Sequence, residues 1–175
     1  NEDYFRRKQM TYDTDGKFFE DNGQRAVFFA RGVLETVKKL RWAPDVIHCQ
    51  GWITNLIPLY LKKVYKADPI FADSRIVTTL YNDISEEKFG ASFKDTILFG
   101  GISPDDVPLP EDPDGTNLAK LAAMYSDGVI IGDSAVSSDL VGYCKGLDVP
   151  TLDFNAESME NGTYAREYDE FYQQL

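Results

Sequence analysis

"PDVIHCQGW", residues 44–52, decides how the rest of the chain is read. Pro44 pushes Ala43 out of the helical region, so whatever helix precedes it stops there. Val46, Ile47 and His48 form a short β-branched run of the kind that fills a buried parallel strand. The strand then runs into His48, Cys49, Gln50, Gly51 and Trp52, and His48 is the chain's only histidine. In an open α/β sheet, ligands gather beyond the carboxyl ends of the strands.

Upstream, residues 6–21 are polar and glycine-bearing and read as a loop. Asn22 offers an N-cap, and Ala26, Phe29, Ala30, Val33, Val37 and Leu40 then fall on one stripe of a helix over 24–40. Downstream, residues 54–65 read as a helix with Pro58 in its first turn, where a missing N–H is harmless. Residues 74–82 read as the next strand. Residues 83–115 form a Gly-, Pro- and Asp-rich excursion with one short helix near 93–99, and long loops in compact domains often carry function. A helix over 116–126, a strand and turn over 127–134, and a helix over 135–145 come next. Ser134 is expected to cap the last of these, with Gly146 just past its end. An amphipathic helix over 166–175 presents Tyr168, Phe171, Tyr172 and Leu175 on one side. Strands alternating with helices require right-handed crossovers and a parallel sheet. The expectation is one α/β domain over residues 1–175. "NEDYF" opens without a methionine, which suggests that the first strands lie upstream.

The 175 residues are 43% apolar and 13% aromatic, enough to bury a core, and the net charge is −11. Such acidity disfavours a nucleic acid or an anionic membrane as partner. The basic clusters at 5–10 and 37–41 are short. Cys49 and Cys144 are not in a paired spacing, which fits free buried thiols in a reducing, cytoplasmic setting. No apolar run reaches the length of a membrane span. One histidine cannot furnish the usual zinc ligand sets. "GGIS" at 100–103 has neither the preceding strand nor the lysine of a phosphate loop. "GDSAVSSD" has the wrong glycine spacing for a nucleophile elbow, and no second histidine exists to act as base. No metal or cofactor is expected.

Three polar clusters fall at strand ends. They are His48 with Gln50 and Trp52, Tyr81 with Asn82 and Asp83, and Gly132 with Asp133 and Ser134. Aromatic faces beside Asn, Gln and His suit sugar rings, which stack through C–H groups and bond through hydroxyls. A plainer reading stands beside this one. His48 can be a core histidine satisfied by a neighbour, Trp52 a packing residue, and Asn82 and Ser134 local turn and cap groups.

Longer stretches carry a family resemblance. "DNGQRAVFFARGVLETVKKLRWAPDVIHCQGWITNLIPLYLKK" (21–63) resembles the N-terminal domain of bacterial glycogen and starch synthases. That family shows D-N-x-x-R-F-x-F-F-x-R-A-x-L-E, then W-x-P-D-V-x-H-x-H-D-W-x-T, then a helix ending in P-x-Y-L. "RIVTTLYN" (75–82) is similar to its V-x-T-I-H-N strand. "TNLAKLAAMYSDGVIIGDSAVSSDL" (116–140) is similar to its N-x-L-K-x-G-L-x-Y-A-D-x-V-x-T-V-S stretch. The resemblance implies a three-layer Rossmann-like sheet, equivalent to the N-terminal half of a two-Rossmann (GT-B) glycosyltransferase. Such enzymes transfer glucose from ADP-glucose, or UDP-glucose, to an α-1,4-glucan, with retention and without a metal. The N-terminal half mainly binds the acceptor glucan.

On that pattern His48, Gln50, Trp52, Tyr81, Asn82 and Ser134 would line the glucan and donor cleft. The departures fall in the same place. The family's second histidine is Gln50, its aspartate is Gly51, and the histidine of I-H-N is Tyr81. The glycine-rich K-x-G-G-L segment and the donor-binding half are not among these residues. The implied chain is an acceptor-side domain, weak or inactive alone. The alternative is a non-catalytic relic that binds glucan, a second copy, or a separate donor-domain partner.

Overall fold

The computed structural model describes residues 2–84 and 86–175. Among them, four parallel strands form one sheet in the order β1 (Val46–Gln50), β2 (Arg75–Leu80), β3 (Gly128–Ile131), β4 (Thr151–Leu152). β1 pairs with β2 from Val46↔Arg75 to Gln50↔Thr79, and β2 pairs with β3 from Val77↔Gly128 to Leu80↔Ile131. β1 therefore runs two residues beyond the expected His48 and takes in Gln50. β4 has only two residues and lies outside the expected set; Pro150 before it and Asp153 after it hide the pattern.

Successive side chains on a strand point to opposite faces. Ile47, Cys49, Ile76, Leu80, Val129 and Ile131 meet the larger apolar layer. That layer comes from α2 (Asn22–Leu40), α3 (Ile57–Lys63), α5 (Gly115–Met124) and α6 (Ser138–Gly146). Val77 and Ile130 point the other way, against Phe171 of α8 (Tyr164–Tyr172). The result is a three-layer α/β architecture. Asp127 sits where the layers meet: its carboxylate accepts from Lys62 Nζ (2.6 Å) and from Ile76 N (2.9 Å), tying α3 to the start of β2.

The helix ends differ from expectation at two caps. Asn22 lies inside the first turn of α2, fully buried. Its Nδ2 donates to the Thr11 carbonyl and its Oδ1 accepts from Arg25. Ser137, not Ser134, caps α6 and accepts from Leu140 N at 3.2 Å. Gly146 is the last residue of α6 rather than the one beyond it.

The excursion at 83–115 is a packed segment. It contains α4 (Phe93–Ile97), and Phe93, Ile97, Ile102, Val107 and Leu109 are all buried. Two short helices, α1 (Glu2–Phe5) and α7 (Ala156–Asn161), complete the set. Cys49 and Cys144 are free and buried, and burial pushes their thiols up to about 12 and about 11. No described helix is long and apolar enough to cross a membrane.

Candidate functional site

β1 and β2 end side by side, so the residues just past their carboxyl ends are brought together. His48 and Gln50 alternate with Ile47 and Cys49, which turns both onto the face that α8 covers. The imidazole is held from two sides. Nε2 is 2.6 Å from Thr79 Oγ1, and Nδ1 is 2.7 Å from Tyr172 OH of α8. The Gln50 amide N lies 3.4 Å from the same Nδ1, and Tyr81 OH donates to Gln50 Oε1 at 3.4 Å. The Gln50 amide N can only donate, which assigns Nδ1 as the acceptor, with the Tyr172 hydroxyl oriented to donate to it and the proton on Nε2. Tyr168 and Tyr172 pack edge-on to the ring, with centroids at 5.8 and 5.7 Å. Burial in this apolar, aromatic setting lowers the His48 pKa from 6.5 to about 4, so the ring is neutral at neutral pH.

Trp52 takes a different direction. Gly51, at φ +77°, is in the left-handed region, and the chain turns there into a single 3-10 turn, Trp52–Thr54. The indole enters the core at 5% exposure, between Phe18 and Phe89 (6.2 and 6.3 Å), and its Nε1 donates to Thr11 Oγ1 at 3.0 Å. Of the two readings of Trp52, the packing one describes its surroundings.

Beyond β2 and β3 a second polar group forms. Asn82 N donates to Asp133 Oδ2 (3.1 Å), and Ala135 N donates to Asp133 Oδ1 (2.7 Å). Tyr81, Asn82 and Asp83 line a small crevice with Thr116 of α5 and Ser137 at the start of α6, with free volume of about 20 Å³. That is room for about one water. No lysine or arginine lines it. Gly115 closes it on one side: a Cβ there would lie 2.0 Å from the Ile84 carbonyl oxygen.

The structure thus joins His48, Gln50 and Tyr81 in one hydrogen-bonded series, with Asn82 next in the chain and tied to Asp133. Ser134 is exposed and lies directly after Asp133 without entering that series. Two further residues contact this group, Tyr172, which the sequence reading did not place here, and Asp83, which it grouped with Tyr81 and Asn82. Tyr172 seals His48, from a helix too distant in sequence to be linked to it by spacing. Asp83 turns its Oδ2 onto Trp52 N at 2.9 Å, and burial raises its pKa against the pull of the backbone N–H groups. A Cβ on Gly51 would stand 3.9 Å from that oxygen, so Asp83 supplies a carboxylate beside the position where the family pattern has one.

Comparison with known proteins gives one answer. The family described as "Starch synthase catalytic domain" matches residues 1–144. The glycogen synthase of Chlorobium limicola is 32% identical over 145 residues, covering 81% of this chain and 29% of that protein. The glycogen synthase of Clostridium perfringens is 30% identical over 177 residues, covering 96% of this chain and 35% of that protein. The chain therefore spans about a third of the length of these relatives. Among solved structures, the catalytic domain of starch synthase IV from Arabidopsis thaliana, bound to ADP and acarbose, superposes with a TM-score of 0.59 at 19% identity. The match covers 87% of this chain and 32% of that one, and it shows the shared fold.

Proposed function

Because the chain belongs to the starch synthase catalytic domain family, we propose that it is the acceptor-side half of a glucosyltransferase that extends an α-1,4-glucan from ADP-glucose or UDP-glucose. The lining of the strand-end site carries this reading. Its polar groups are an imidazole, amides, hydroxyls and carboxylates, and the crevice beside them, walled also by Gly115, Ala119, Val136 and Leu140, has no lysine or arginine. Neutral donors and acceptors match sugar hydroxyls, whereas a nucleotide diphosphate calls for guanidinium or ammonium groups. The donor's phosphates would then be held by polypeptide outside these residues. The half represented here would orient the acceptor's terminal hydroxyl.

A second reading, a glucan-binding domain without catalysis, is favoured by one observation. His48 is neutral and sealed by Tyr172, while Gln50 and Gly51 carry no charge. Stabilising developing charge in glycosyl transfer needs preorganised charged or strongly polar groups aimed at the reacting centre.

Titration calorimetry with maltoheptaose and with ADP-glucose tests the first reading. Maltoheptaose is expected to bind and ADP-glucose is not, with no glucose transfer by this chain alone. Binding of ADP-glucose without glucan would overturn the acceptor-side assignment. Turnover by the chain alone would overturn both the half-site and the non-catalytic readings. Gln50→Ala and Tyr81→Phe are the informative variants. Trp52→Ala is not, because it would unpack the core.

A further inference from the structure

Asp83 stands where the ends of β1 and β2 meet. Its Oδ2 accepts from Trp52 N at 2.9 Å, and the N–H groups of Asp83 and Ile84 also approach the carboxylate. Among the described residues no lysine, arginine or histidine forms an ion pair with it. The charged side chain that acts on it is Asp133, of like sign. A carboxylate drawn partly out of water without a cation is kept at a cost. Asp83 is nevertheless exposed and lines the strand-end crevice, so a ligand can reach it from solvent.

Position 51 explains why a carboxylate comes from the β2 side. Gly51 has φ +77° and ψ 154°, a conformation that belongs essentially to glycine. A Cβ there would stand 3.9 Å from Asp83 Oδ2, and a carboxylate carried on that Cβ would crowd and repel Asp83. The two positions exclude one another. The end of β1 or the end of β2 can offer the carboxylate, and in this chain β2 does.

The crevice sets what Asp83 can accept from. Its free volume of about 20 Å³ is room for one water, which admits a single hydroxyl and no ring. Ala119, Val136 and Leu140 make part of its wall apolar, and a hydrogen bond to an ionised acceptor is strong in such a setting. A hard metal ion does not fit, because it takes six or more oxygen ligands or a shell of waters. Among the described residues no group of three or more His, Cys, Asp or Glu could hold one.

We propose that Asp83 is a specificity-determining residue of the acceptor site, whose carboxylate accepts from the 3-hydroxyl of the glucan's non-reducing terminal glucose. This rests on the acceptor-side reading above. In an α-1,4-glucan the terminal 4-hydroxyl is the one extended, so it has to stay open to the donor and cannot be the group enclosed. The 3-hydroxyl is its neighbour on the ring, and fixing it orients the 4-hydroxyl. The 6-hydroxyl brings a methylene that the crevice has no room for, and its arm rotates.

The test is a two-by-two cycle by titration calorimetry on the 175-residue chain. Maltoheptaose, and maltoheptaose lacking the 3-hydroxyl of its non-reducing terminal glucose, are each titrated into wild type and Asp83→Asn. Asparagine keeps an oxygen for Trp52 N and removes the charge, so the urea midpoint should match wild type. Asp83→Ser also keeps an oxygen acceptor and gives a second route to the same cycle. Wild type is expected to lose about tenfold in affinity for the deoxy glucan. Asp83→Asn is expected to lose about as much for maltoheptaose and then to bind both glucans alike. Equal affinity of wild type for the two glucans overturns the proposal without any variant. A deoxy penalty that persists undiminished in Asp83→Asn and Asp83→Ser also overturns it. In both cases maltoheptaose still binds and the acceptor-side reading stands. If maltoheptaose does not bind wild type at all, that reading falls and this proposal falls with it.

Discussion

Trp52 and His48 leave the same strand end and meet opposite surroundings. Trp52 crosses the turn at Gly51 into the large core and is packed among Phe18 and Phe89, with one hydrogen bond to Thr11. His48 stays on the strand, on the face closed by α8, and meets Thr79 and Tyr172. One region is held by burial of apolar area, the other by a small set of directed polar contacts. The difference separates what these residues do for the fold from what they can offer a ligand. A packed indole has no free face to give a sugar, whereas the series from His48 through Gln50 to Tyr81 reaches the surface.

Trp52→Ala should have the largest effect, a loss of about 3–5 kcal/mol in urea unfolding, as for other aromatic truncations in cores. A loss under about 1 kcal/mol would mean the indole is not a core residue and would collapse the contrast.

Acidification is the next test, and it addresses the other region alone. The folded pKa of His48 lies at about 4, below its ordinary 6.5. Above pH 6.5 the ring is neutral in both states, so its contribution to stability is fully present. Between pH 6.5 and about 4 the unfolded chain takes up the proton first and that contribution falls, by up to about 3 kcal/mol. Below pH 4 it falls no further. Carboxylates elsewhere also respond to acid, so the comparison is between wild type and His48→Gln, whose stability profile should lack this component. The single histidine also permits direct titration by NMR, and a midpoint near 6.5 would refute the sealed arrangement.

Tyr172→Phe removes one hydroxyl from the seal. It should cost about 1 kcal/mol and raise the His48 midpoint, because the lost donor favours the neutral ring. A midpoint that does not move would mean that packing by α8, rather than the hydroxyl, keeps His48 neutral.

Gln50→Ala should be the smallest perturbation, within about 0.5 kcal/mol in stability because the residue is exposed and its contacts are long. Any effect on maltoheptaose affinity would then report binding alone. A large loss of stability would place Gln50 with Trp52 as a structural residue.

Much of the fold is legible in the residues. The stop at Pro44, the β-branched run after it, the stripe along α2 and the alternation of strands with helices require only local sterics and period, and these lead to a parallel α/β sheet. The motifs at 21–63 and 116–140 lead to the family. The elements that local pattern misses are short and carry weak periodic signals: β4 has two residues, and α7 is polar, although Asn155 at its N-cap and Gly162 past its end mark it. Asn22 reads as a cap because its residue type favours that role. Its actual partners, Thr11 and Arg25, exist only once the loop at 6–21 has folded back onto α2.

The residue order by itself determined that a buried parallel strand would deliver His48 and Gln50 to the carboxyl edge of a sheet, since a strand's period of two and a proline's excluded helix are local properties. Only the tertiary structure decided which of those side chains would face solvent, which would be sealed, and where a carboxylate would stand. Those outcomes rest on contacts between residues far apart in the chain: Tyr172 with His48, Asp83 with Trp52, and Thr11 with the indole. Local spacing does not encode such contacts, because they form when layers pack and each buried polar atom must find a partner.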